Sequence, residues 1–114
     1  MNLGIEMHNK NDIVKSEIHH LQIILFIKKQ LHKKLSERIT ELMNDGYSQN
    51  LIGKMTGLDQ PKISSLKKNN KIVFTDSKAM YILRLLNVYC TIDTRKDIPD
   101  IIKFDTDDDI KSKI

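Results

Sequence analysis

The sequence predicts a mostly α-helical domain of five or six helices, arranged around two short ones in its middle. Three observations carry this prediction. From Asn11 to Asp45 the chain has no glycine or proline, while its aliphatic residues recur at helical spacing. Between Tyr47 and Leu66, YSQNLIGKMTGLDQPKISSL writes the pattern of a helix start twice, on either side of Gly57. From Thr75 to Leu86 a capping residue opens another aliphatic stripe.

In chain order, residues 1–10 mix Gly4 with polar side chains without period and read as a flexible N-terminus. One domain is expected over 11–104. In its N-terminal part Val14, Ile18, Leu21 and Leu25 follow a 4-3-4 spacing, and Ile24, Ile27, Leu31 and Leu35 a 3-4-4 spacing. Ile39, Leu42 and Met43 continue the face to Gly46, which suits the left-handed residue that ends a helix. The stretch reads either as one helix over 12–44 or as two broken near Lys29 to His32, the domain's own first helix then being 33–44. The run Ile23 to Ile27 is apolar nearly all round, so more than one surface has to cover it. Those surfaces are either the chain's own last elements or a twofold partner.

The central motif spans 48–66. Ser48 is a good N-cap, with Tyr47 before it and Ile52 inside at the spacing of a hydrophobic staple. Asp59 repeats the arrangement with Leu58 and Ile63, and Pro61 falls in the first turn, where its missing N–H costs nothing. Counting from Gln49, Gly53 lies four residues on, Gly57 eight, Ile63 fourteen and Leu66 seventeen. Two short helices crossing closely over a small residue, with glycine at the turn, make a helix-turn-helix. Five positions agree on it.

After the polar loop Lys67 to Lys71, Thr75 caps a helix whose inward face is Ala79, Ile82, Leu83 and Leu86, with Asn87 at its end. Val88 to Thr94 reads as a short edge strand that can pair across a dimer, and 97–104 as a short helix or an extended piece. Residues 105–114 hold Asp105, Asp107, Asp108 and Asp109 and are expected to be a disordered acidic tail.

Composition narrows the function. The chain has 114 residues, enough for one modest core, and with no tryptophan that core is aliphatic. A single cysteine, Cys90, rules out an internal disulfide and a cysteine-based metal framework. No apolar run is long enough for a membrane span and no secretory signal pattern opens the chain, so a cytoplasmic protein is expected. His8, His19, His20 and His32 lack the spacing of a helical zinc site, and no nucleophile elbow, phosphate loop or dinucleotide fingerprint occurs. No enzyme, cofactor or metal site is expected. Lys28 to Arg84 holds twelve Lys/Arg against five Asp/Glu, a balance of +7 where the whole chain has +4. Such a body suits a polyanion.

Duplex DNA is the expected partner. Gln49 can offer its amide and backbone N–H to a phosphate from a helix N-terminus, beside Ser48. Gln60 can pair with adenine N6 and N7, and Lys62 with guanine O6/N7 or a phosphate. Pro61, Ser64 and Ser65 complete the exposed side, and Lys67, Lys68, Asn70 and Lys71 are expected on the backbone. Proline at 61 disfavours helical geometry at Gln60, so Gln60 itself is an alternative cap.

The segment SQNLIGKMTGLDQPKISSL resembles the DNA-binding part of the Xre family, the Cro/cI-type repressors. From Lys33 to Thr94 the order DGYSQ, QPKIS, FTDSKAMYILRLLNV, YCTID is similar to the HigA-like antitoxin branch. The resemblance implies a Cro/cI-type domain with an N-terminal extension helix and a short C-terminal strand, binding DNA as a homodimer and repressing transcription. It matches Gln49, Gln60, Lys62 and Ser65 to positions that commonly touch DNA, while Pro61 departs from repressors with a second polar residue there. It leaves three readings open. The chain is an antitoxin that also binds a RelE/HigB-like toxin, a stand-alone regulator, or an interaction module that has lost DNA binding.

Overall fold

One helix, α1 (Leu3–Asn44), runs the length of the molecule. At about 1.5 Å per residue its 42 residues span roughly 63 Å, nearly all of the 67 Å long axis. The structure, a computed structural model, describes residues 3–68 and 74–113, with side chains described from Val14 onward. After α1 come α2 (Gln49–Thr56), α3 (Gln60–Lys67), α4 (Asp76–Leu85), β1 (Val88–Ile92), β2 (Ile102–Thr106) and a 3-10 turn (Ile110–Lys113). The fold is mostly helical with one small two-stranded sheet.

The described residues form four α-helices instead of five or six, because α1 does not break near Lys29 to His32. Leu31 and Leu35 are fully buried there, so the inward row Ile23, Ile27, Leu31, Leu35, Ile39, Leu42 is continuous and no glycine or proline interrupts it. Nor does the helix wait for Asn11. It begins at Leu3, through the stretch expected to be flexible. At its other end Gly46 adopts φ +99. Tyr47 N–H donates to Leu42 O and Gly46 N–H to Met43 O, both at 3.1 Å, the paired closure of a Schellman motif.

The core lies along the C-terminal half of α1, from Ile23 onward. Ile52 from α2, Ile63 and Leu66 from α3, and Ala79, Ile82, Leu83 and Leu86 at α4 pack on that row. The expected strand forms, but β1 pairs within the chain, antiparallel to β2, with Val88 opposite Thr106, Cys90 opposite Phe104 and Ile92 opposite Ile102. Residues 97–104 are therefore turn and strand, not helix. Burial pushes the half-buried Cys90 thiol above its ordinary pKa.

Of the tail expected to be disordered, residues 105–113 take up the end of β2 and the 3-10 turn, exposed except for Ile110. Ile110 is 1% exposed in the core. Asn87, left-handed at φ 61 after α4, accepts from Asp107 N–H at 2.9 Å and donates from Nδ2 to Asp109 O at 3.1 Å. Arg38 fastens the same segment from α1. Its guanidinium is buried and donates to Leu86 O at 2.9 Å, Glu41 Oε1 at 2.6 Å and Asp107 O at 3.4 Å. The acidic composition pointed to disorder, but one buried isoleucine and one buried arginine outweigh it.

Candidate nucleic-acid interface

The turn between α2 and α3 sets the site. Ser48 caps α2, its hydroxyl accepting from Leu51 N–H at 3.1 Å, and Asp59 caps α3, its carboxylate accepting from Lys62 N–H at 3.0 Å. The cap of α3 is thus Asp59 and not Gln60, with Pro61 in the first turn. Between the helices Gly57 takes φ +73 and its N–H closes on Gly53 O at 2.8 Å. Gly53 answers a different demand. A Cβ built there would stand 3.0 Å from Leu58 O and 3.3 Å from Ile63 Cδ1, so α3 crosses directly over it.

This geometry divides α3 lengthwise. Ile63 and Leu66 are buried against α1 and α2, while Gln60, Pro61, Lys62, Lys67 and Lys68 are exposed and Ser64 and Ser65 are half-buried at the margins. Asn70 and Lys71, expected on the DNA backbone, lie outside the described residues.

Gln49 sits differently from the expectation. Its amide Nε2 donates to Ser64 Oγ at 2.8 Å and to Gln60 O at 3.2 Å, so the nitrogen joins α2 to α3. Ser64 is the acceptor in that joint, turned toward α2. What Gln49 keeps for a phosphate is its backbone N–H, which together with that of Asn50 lies in the first turn and has no helical acceptor. Two exposed residues join the site without having been expected there. Asn50 and Lys54 line the shallow groove that runs between α2 and the start of α3, next to Gln60. Their i, i+4 spacing on α2 was the available signal.

Together these residues place hydrogen-bonding side chains at the front of α3, helix-end N–H donors beside it and lysines behind it. An arrangement of this kind can bind phosphates and read base edges. The described residues include no helix long and apolar enough to cross a membrane. No protein-family model matches the chain, and no curated protein or solved structure is significantly similar to it.

Proposed function

We propose that the chain is a sequence-specific duplex-DNA-binding regulator that represses transcription, with α3 as the helix that enters the major groove. The observation that carries this reading is the lengthwise division of α3: Ile63 and Leu66 held in the core, Gln60 and Lys62 free at its N-terminal end. Recognition helices present their N-terminal residues to base edges, and Gln60, Pro61 and Lys62 at this end of α3 are exposed.

The roles follow from the chemistry of each group. The Gln60 amide, bonded through neither its oxygen nor its nitrogen among the described residues, matches adenine N6 and N7. Lys62 matches guanine O6/N7 or a phosphate. Pro61 offers only apolar surface, suited to a thymine methyl. Lys67 and Lys68, about two turns behind Gln60, supply charge without sequence preference. The first turn of α2 meets the backbone with Gln49 and Asn50 N–H groups, the usual chemistry of phosphate at a helix N-terminus. A protein seated in this way over a promoter excludes the polymerase, which is the simplest route to repression.

The resemblance of the motif to Xre-family repressors supports the same reading. Selection of bound duplexes from a random pool tests it. A short enriched motif is expected, and Gln60→Ala should remove the preference at its adenine position. Equal retention of all duplexes, or none, contradicts it.

A further inference from the structure

The N-terminal half of α1 carries an aliphatic stripe that the rest of the chain leaves open. Val14, Ile18, Leu21 and Leu25 are 53%, 52%, 57% and 64% exposed, whereas Ile23 and Ile27 are buried at 8% and 7%. Residues two apart point to opposite sides of a helix, so Leu21 faces away from Ile23 and Leu25 away from Ile27. Single exposed aliphatics are ordinary on a monomer. Four in one row, with Ile24 at its side, form a contiguous patch of the kind that marks an interface.

We propose that a second copy of this chain covers the stripe, its α1 running antiparallel about a twofold axis between Ile18 and Leu21. The inference goes beyond the DNA-binding reading and does not depend on it. Three observations choose this occupant.

The first is spacing. The intervals 4-3-4 are the same read from either end, so an antiparallel copy lays Ile18 against Leu21 and Val14 against Leu25, and the reverse. A twofold interface needs this kind of self-complementarity. The second is charge. In the antiparallel register Lys15 lies level with Ile24 and Glu17 with Gln22, so neither of these charges lies level with its like. A parallel, in-register pair sets Lys15 beside Lys15 and Glu17 beside Glu17. It also brings two bodies of balance +5, counted from Lys28 to Ile114, together at one end, where the antiparallel pair holds them apart. The third is area. Two such faces remove on the order of 1,000 Å² from water, near the lower bound for specific association, which fits a concentration-dependent dimer.

Sedimentation equilibrium of the full chain, from micromolar to about 100 µM, should resolve a monomer–dimer equilibrium. Leu21→Asp with Leu25→Asp should raise the dissociation constant at least about tenfold. Since both side chains are exposed, helix content by circular dichroism and Tm should hold when both proteins are compared at concentrations where they are monomeric. Orientation is read by disulfide formation in a Cys90→Ser background. Val14→Cys mixed with Leu25→Cys should cross-link, and each alone should not, because like positions are eleven residues apart along the antiparallel pair. A chain that stays monomeric overturns the proposal and leaves the stripe to a different protein. So does a dimer whose dissociation constant the double variant leaves unchanged, and Val14→Cys linking to itself overturns the antiparallel register.

Discussion

Two glycines, four residues apart, hold the turn for unlike reasons, and substitution separates them. At Gly57 the space is open, with nothing within 4 Å of a built Cβ, so the whole cost of a side chain is the left-handed backbone at φ +73. Gly57→Val should therefore lower stability by about 1–3 kcal/mol. At Gly53 the backbone is helical and the space is short. Gly53→Ala gains up to about 1 kcal/mol of helix propensity and loses a similar amount to Leu58 O, so it should be close to neutral. Gly53→Val reaches further into Ile63 and should cost about 1–3 kcal/mol. Urea unfolding of the three variants checks the ordering. Both glycines were legible in the sequence because the motif's spacing assigns each its task. The Gln49 amide was not. Its bond to Ser64 joins residues fifteen apart and depends on how α2 crosses α3, which no local pattern encodes.

At the scale of elements, helices were legible and their partners less so. Caps at Ser48, Asp59 and Thr75 all accept the first-turn N–H that the sequence assigns them. The end of α1 at Gly46 also falls where expected. The strand at Val88 was readable from its β-branched residues, but its mate at Ile102–Thr106 was legible only as one of two alternatives for 97–104, which carries a proline and no clean alternation. The turn that joins the two strands contains a pH-sensitive ion pair. The Arg95 guanidinium, and then the Arg95 N–H, hold the Asp93 carboxyl below its ordinary pKa. A folded-state pKa below the unfolded one gives stability present above the unfolded value and lost as pH falls through the folded value. Asp93 should accordingly titrate below the ordinary aspartate range by carboxyl-detected NMR. Arg95→Ala should move the midpoint up, and an unmoved midpoint would contradict the pairing.

Over the molecule as described, the buried cation of Arg38 connects what the chain order separates. Arg38 binds α1 to the end of α4 at Leu86 and to the C-terminal segment at Asp107. Charged residues are normally expected at the surface, so nothing in the local pattern marks this one for burial. Arg38→Met leaves two carbonyls without their donor and should cost about 2–4 kcal/mol, lowering Tm by about 10 °C or more, while Glu41→Gln, on the exposed side, should change little. Charge is the other property of the whole chain, and it bears on the central claim, that α3 reads duplex DNA. The direct measurement is a salt titration of binding to a selected duplex and to its scrambled counterpart, for the wild type, Gln60→Ala and Lys67→Ala with Lys68→Ala. Gln60→Ala should cost about 1–3 kcal/mol on the selected duplex and almost nothing on the scrambled one, with the salt slope unchanged. The double lysine variant should weaken both duplexes alike and flatten the log–log slope by about two units, one for each phosphate no longer neutralised. If Gln60→Ala weakens both duplexes equally, or if none of these side chains affects binding, α3 is not the reading helix.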